Sequence, residues 1–175
     1  MEMTLLSLPW LTFAAFLILG VIKPNYSLVE SFSREIASRF QAADPFELVL
    51  FVFASNTLTA TLVYVGSLAL VLPGLAVIAF NGYLIGSVAD YAINVGGLTL
   101  TQVLASLLPH GVIELPAFLS ASSGGIYCLI KCRSPRRIAV FTFKLLPLVA
   151  LLLLIAAFIE IFITPIVARA AGVPV

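Results

Sequence analysis

Charged side chains are scarce in this chain. Lys, Arg, Asp and Glu make up 10% of its 175 residues, whereas 62% of the residues are hydrophobic. A soluble domain carries roughly 25% charged residues, so this composition could not cover the surface of a soluble fold. The formal net charge of +1 also gives no basis for a nucleic-acid partner. The composition therefore predicts a protein embedded in the lipid bilayer.

Histidine and cysteine are rare as well. The chain has one histidine, His110, and two cysteines, Cys128 and Cys132. The sequence contains no HExxH motif and no plausible Ser–His–Asp arrangement. The cysteines lie one helical turn apart beside a basic stretch, and we expect both to be reduced thiols. The sequence does not decide whether the chain is an enzyme, but it favours a non-catalytic role.

Long apolar runs fill most of the chain, and each is close to the ~20 residues that cross a bilayer as a helix. The runs cover approximately residues 5–22, 46–72, 75–93, 109–130 and 138–163. The first run has no positive residue ahead of it and no small-residue cleavage site, so we expect a retained helix rather than a signal peptide. The pattern predicts about five transmembrane helices.

One further apolar stretch, from Leu98 to Leu108, is too short to cross the bilayer. We expect it to form a short re-entrant or interfacial helix. The predicted fold class is thus all-α and polytopic, with one membrane domain over residues 1–175. Within that domain we expect a first transmembrane helix (residues 1–24), an amphipathic surface helix (25–45) and a four-helix core (46–165).

The surface helix is predicted from its apolar periodicity and its charge pairs. Apolar side chains recur at helical spacing at Leu28, Phe32, Ile36, Phe40 and Ala43. On the polar side, Glu residues are followed four positions later by Arg, at 30/34 and 35/39, which is the order that stabilises a helix. The pattern favours a helix that lies flat on the membrane surface, and docking onto a partner protein is the alternative.

Orientation follows from the distribution of positive charge. The segment from Lys131 to Arg137 has four basic residues and no acid, and short basic loops stay on the cytoplasmic side. Counting helices from this loop predicts a multi-pass protein of the cell membrane. We expect its N-terminus in the cytoplasm and its C-terminus outside.

Five polar residues within the spans are the candidate functional residues. Polar groups in a span are costly and usually face the bundle interior. By the predicted topology, these five lie between the midplane and the outer face, on four helices. They are Asn56, Asn81, His110, Glu114 and Glu160.

The sequence leaves three interpretations of this polar cluster open. His110 and Glu114 are four residues apart and share one helix face, so they could form a buried structural pair. They could also act together in proton or ion transfer. Finally, the two could supply metal ligands with Glu160 as a third. No cofactor is expected, and a divalent metal ion at these three residues is the alternative.

Small residues mark the expected helix contacts, because small side chains let helices approach closely in lipid. Gly82 and Gly86 form a GxxxG pair, and Ala117, Ala121 and Gly125 repeat every four residues. We expect these positions to pack inside one chain, and a homodimer remains open as the alternative.

The run His110-Gly-Val-Ile-Glu114-Leu-Pro-Ala117 resembles the HGxxELPA signature of the stage II sporulation protein M family. Shorter similarities to the family accompany it at Ser55–Asn56, at Phe80–Asn81–Gly82 and at Ile159–Glu160. The resemblance covers roughly residues 46–165 and implies a multi-helix membrane protein. The namesake of the family helps to anchor two cell-wall-cleaving proteins at the engulfing membrane.

The resemblance favours a non-catalytic scaffold in envelope or membrane remodelling. Its partners would be the bilayer and membrane or extracytoplasmic proteins, with no nucleic acid among them. One alternative is a proton- or ion-coupled transporter or channel that uses His110, Glu114 and Glu160. The other is an intramembrane metal-dependent hydrolase that uses the same residues.

Overall fold

The computed structural model describes residues 2–173, except for the side chains of residues 2, 3 and 39–42. The described chain folds into seven α-helices and has no strand, as the all-α prediction requires. The helices are α1 (Glu2–Ile22), α2 (Tyr26–Ala42), α3 (Pro45–Leu70), α4 (Leu72–Asn94), α5 (Leu100–Lys131), α6 (Pro135–Phe158) and α7 (Thr164–Ala170). A π-helical segment, Ile159–Ile163, joins α6 to α7 without a break.

The prediction of about five membrane spans is confirmed by helix length and composition. Among the described residues, α3, α4, α5 and the continuous rod from α6 to α7 are each long and apolar enough to cross a membrane. The fifth candidate is the pair formed by α1 and α2, which bends by 104° at the intervening residues. The chain is therefore a polytopic membrane protein.

The structure differs from the sequence prediction in one element. The stretch from Leu98 to Leu108 is not a separate helix, because α5 begins at Leu100 and continues to Lys131. Thr99 caps this helix, and Gln102 completes a capping box. A proline inside the helix, Pro109, removes only one backbone hydrogen bond and does not end it. At 1.5 Å per residue α5 is about 48 Å long, so its first turns extend beyond a ~30 Å hydrocarbon core.

Two ends of the bundle can be told apart. The basic end carries the loop between α5 and α6, and the hydrogen bond from Ser123 Oγ to the Leu6 carbonyl (2.9 Å) brings the start of α1 toward it. The opposite end carries the starts of α3 and α5 and the end of α7, where Gln102 Nε2 donates to the Gly172 carbonyl (2.7 Å). The positive-inside rule predicts that the basic end is cytoplasmic.

Glycines bring α1 and α4 into backbone contact. A Cβ atom built at Gly82 would lie 2.7 Å from the Phe13 carbonyl oxygen, and one at Gly86 would overlap the Leu17 carbonyl. Gly20 of α1 meets the Tyr83 carbonyl of α4 in the same way. The GxxxG pair thus packs inside one chain, as expected from the sequence, and a homodimer remains a prediction.

The centre of the bundle is formed by α3, α5 and α6. Ala117 and Ala121 of α5 are fully buried, and Gly125 packs against the backbone of Tyr64 in α3. Buried hydroxyl groups join the same helices, with a Ser67–Ser122 hydrogen bond of 2.8 Å. Since lipid offers no hydrophobic drive for helix association, close packing and such hydrogen bonds hold the spans together.

The amphipathic helix α2 forms as predicted and lies outside the bundle. Tyr26 Oη donates to Asp90 Oδ2 of α4 (2.7 Å), and Val29 is buried. Beyond this anchor, Phe32 and Ile36 remain 38% and 45% exposed. The inner end of α2 is fixed to α4, and its outer part presents an apolar surface.

We expect Gly82→Ala to lower the free energy of unfolding by about 1–3 kcal/mol, because the new methyl group meets a backbone oxygen that cannot move aside. Denaturant titration in detergent micelles measures this change. Gly111→Ala is the matched control, since a Cβ there meets nothing within 4 Å, and alanine is the better helix former. Equal stability of the two variants would contradict the close contact of α1 with α4.

Candidate functional site

Three ionisable side chains converge inside the bundle, near the end that lies opposite the basic end. His110 and Glu114 occupy successive turns of α5, and Glu160 lies in the π-helical segment that follows α6. One potential ligand atom from each of the three side chains lies within 4.8 Å of the other two. All three residues are half-buried. We refer to His110, Glu114 and Glu160 as the acid–imidazole cluster.

The π-helical segment determines how Glu160 reaches this cluster. The amide of Thr164 donates to the Ile159 carbonyl, five residues back, rather than four residues back as in an α-helix. The next residue, Pro165, has no amide hydrogen with which to restore regular pairing. Single π-helical turns inside α-helices are rare and often occur at functional sites.

Two neighbours make contact with the cluster. His110 Nδ1 lies 3.2 Å from Thr164 Oγ1 in a hydrogen bond, and Thr164 is buried. This bond fixes the ring and leaves Nε2 as the nitrogen for a further partner. The side chain of Asn56, in α3, is within hydrogen-bonding reach of Glu114. The bond between His110 and Thr164 is of the kind that histidine ligands of metals usually form through their second ring nitrogen.

The structure brings four of the five sequence-predicted residues together, and the fifth, Asn81, forms a hydrogen bond to its own helix. Asn81 Nδ2 donates to the Val77 carbonyl of its own helix at 2.9 Å. No hydrogen bond from Asn81 to the cluster occurs among the described residues. This bond to the preceding turn of α4 gives the Asn81 amide a hydrogen-bond partner, and no site role is needed to account for the residue.

Sequence reasoning did not select Thr164 as a site residue. A buried threonine is common in membrane helices, and its hydroxyl usually bonds within its own helix. The available signal was its position four residues after Glu160 and directly before Pro165. That spacing places a second polar group on the face that carries Glu160.

Charge compensation is the main electrostatic problem at this site. Two neighbouring carboxylates cannot both be ionised in a low-dielectric environment without a partner. Within the described residues, no lysine or arginine forms an ion pair with Glu114 or Glu160. Either protons or a cation must therefore balance them. A divalent cation on two carboxylates and one neutral imidazole gives a net charge of zero.

The cluster lies near one boundary of the hydrocarbon core. Along α5, Glu114 is about 26 Å and His110 about 32 Å from Lys131, counting 1.5 Å per residue. Lys131 marks the basic end, and the core is about 30 Å thick. The cluster is thus close to the opposite interface of the membrane.

The donor set suits a first-row divalent metal ion. Imidazole nitrogen favours zinc, iron and nickel, and carboxylate oxygen favours manganese and magnesium. With bonds of about 2.1 Å, tetrahedral ligands lie about 3.4 Å apart. Contacts of up to 4.8 Å therefore need small side-chain rotations to close around an ion. Three protein ligands would leave at least one position for water.

Comparisons with known proteins are consistent with this fold. Residues 10–165 match the family model of Stage II sporulation protein M. An uncharacterized protein of Methanocaldococcus jannaschii is 30% identical over 132 residues, which cover 67% of this chain and 71% of that protein. No solved structure matches the chain at a significant level.

The hydrogen bond between His110 and Thr164 can be tested with a double-mutant cycle. We expect Thr164→Val and His110→Leu to be non-additive, with a coupling of about 1 kcal/mol in the free energy of unfolding. The measurement is denaturant titration of both single variants and the double variant. Thr59→Val is the control partner, because the Thr59 hydroxyl bonds only to the Ser55 carbonyl of its own helix (3.0 Å). Additivity in both cycles would rule out the bond.

Proposed function

The chain belongs to the stage II sporulation protein M family and spans the membrane, and from this premise we propose that its acid–imidazole cluster binds a divalent metal ion of the first transition series. One observation carries the proposal: ligand atoms of His110, Glu114 and Glu160 lie within 4.8 Å of one another. Two carboxylates at a hydrocarbon boundary must be neutralised by protons or by a cation, and one divalent ion neutralises both.

The bound ion would link two membrane spans by coordinating side chains from both. His110 and Glu114 belong to α5, whereas Glu160 belongs to the rod formed by α6 and α7. Bonds from one ion to both helices stabilise the folded state by mass action, about 2.7 kcal/mol at an ion concentration of 100 times Kd. Thr164 and Asn56 would orient the ligands, as second hydrogen-bond partners do in other metal sites.

Two of the functions considered from the sequence receive less support. A metal-dependent hydrolase needs a general base besides its ligands, and with Glu114 and Glu160 as ligands no further carboxylate belongs to the cluster. Transporter sites typically lie near the bilayer midplane, whereas this cluster lies near one interface. We therefore favour a metal-stabilised, non-catalytic membrane protein.

Metal content tests this proposal directly. The protein is treated with a chelator and then dialysed against Mn²⁺, Zn²⁺ or Mg²⁺. In the Mn²⁺ and Zn²⁺ arms, we expect mass spectrometry to find about one metal ion per chain. Glu160→Gln and His110→Ala should lower the affinity at least tenfold, because each removes a ligand. Glu30→Gln is the matched control, since it removes an exposed carboxylate, 51% accessible in its side chain, on α2. Equal metal content in all four proteins would contradict the site.

Stability in the two metal states distinguishes a metal site from a structural pair. In chelator, Glu160→Gln should melt at a higher temperature than the wild type, because it removes one of two adjacent half-buried carboxylates. In saturating metal the order should reverse. If Glu160→Gln lowers stability equally in both conditions, the cluster is only a hydrogen-bonded structural element.

A scaffold role remains a second proposal, and the geometry of α2 supports it. This helix is tied to α4 by the Tyr26–Asp90 hydrogen bond and presents Phe32 and Ile36 outward. Such a surface can lie on lipid or hold a partner protein.

Replacing both Phe32 and Ile36 by Ser separates these two uses of α2. For a scaffold, the change should abolish cross-linking to a membrane partner in native membranes, while the melting temperature falls only by the loss of the contact between the Phe32 and Phe80 rings (6.3 Å). The control is Ser33→Ala, at an exposed polar position of the same helix. Unchanged cross-links after the double replacement would argue against α2 as a docking surface.

A further inference from the structure

A second site candidate lies at the basic end, far from the acid–imidazole cluster. The end of α5 and the start of α6 enclose an open cavity of about 540 Å³. Four basic side chains line this cavity together with the rings of Tyr127 and Phe141: Lys131, Arg136, Arg137 and Lys144. The sequence prediction used this region only to orient the chain.

Positive charge accumulates in this part of the sequence. Residues 115–159 contain five lysines and arginines and no aspartate or glutamate. Among the described side chains, none forms an ion pair with Arg136, Arg137 or Lys144. Several like charges around one concave surface attract an anion and raise its local concentration.

The start of α6 adds the positive end of a helix dipole to the same cavity. Ser134 caps this 24-residue helix by accepting from the Arg137 amide, and Pro135 occupies its first position. Ser134 itself lines the cavity. Pro135 has no amide hydrogen, and the Arg137 and Ile138 amides already donate to Ser134, so the first turn leaves the Arg136 amide and the positive end of the helix dipole to favour phosphate oxygens.

The cavity continues into a surface that faces lipid. The Tyr127 and Phe141 rings are 5.3 Å apart, and Tyr127 is 40% exposed, as expected for a ring at the membrane interface. Farther along α6, Val140 is 50% and Phe143 is 80% exposed. A ligand with a charged head and an apolar tail would contact both parts.

We propose that this cavity binds the phosphate group of an anionic phospholipid. Arg136 and Arg137 would contact the phosphate, since guanidinium groups match its geometry, and the long side chain of Lys144 would extend from deeper in the membrane. The acyl chains would lie along the exposed apolar face of α6. Basic pockets between membrane helices on the cytoplasmic side are a known type of site for anionic lipid headgroups. This proposal is independent of the metal site.

Native mass spectrometry of the full chain, released from mixed phosphatidylglycerol and phosphatidylcholine micelles, tests the proposal. We expect retained phosphatidylglycerol with at least a tenfold preference over phosphatidylcholine. The double variant Arg136→Gln/Arg137→Gln should lose that preference. Arg133→Gln is the matched control, because it removes an exposed charge from the same loop outside the cavity lining and should keep the preference.

Two further outcomes are decisive. If both variants lose the preference equally, general surface charge explains the binding and the cavity proposal is overturned. A separate arm measures binding of inorganic phosphate in uncharged detergent by calorimetry. Phosphate binding that depends on Arg136 and Arg137, without a preference for phosphatidylglycerol, would overturn the lipid as the source of the phosphate group. All variants change exposed side chains, and unchanged melting temperatures would confirm that they fold.

Discussion

The need to neutralise two carboxylates at the edge of a lipid-embedded bundle is the constraint on which this structure depends. Glu114 and Glu160 come from different helices, and their ligand atoms lie within 4.8 Å of each other and of His110. An ionised carboxylate in a low-dielectric environment costs several kcal/mol unless it is paired. The fold nevertheless assembles the group with a π-helical turn, a local geometry less favourable than a regular helix. In the metal-site proposal, one divalent ion supplies the charge that balances both carboxylates.

The remainder of the bundle holds these groups in position. Small residues allow α5 to lie close against α3. Glycines of α1 and α4 bring the backbones of these two helices into direct contact. These contacts do not adapt easily, because a carbonyl oxygen cannot move aside as a side chain can. The two chemically distinctive regions lie at opposite ends, with the acid–imidazole cluster at one interface and the basic cavity at the other.

The sequence was sufficient for most of the fold, because transmembrane helices follow from apolar length and their contacts from small residues. It failed at residues 98–108, where the capping box at Thr99 and tertiary packing continue one helix through Pro109. For the site, helical spacing paired His110 with Glu114, and matching depth suggested Glu160 and Asn56. Depth alone could not place side chains around a helix axis, so it did not indicate Thr164, which bonds to His110, or that Asn81 bonds to its own helix. The π-helical turn that sets this rotation has no clear sequence signature beyond Pro165.

X-ray absorption spectroscopy of the purified protein loaded with one equivalent of Mn²⁺ or Zn²⁺ tests the central claim most directly. The account predicts a first shell with one imidazole nitrogen and at least two carboxylate oxygens at about 2.0–2.2 Å. The imidazole contribution should disappear in His110→Ala. A spectrum identical to that of the aqueous ion, or one unchanged by His110→Ala, would contradict a metal centre at this cluster.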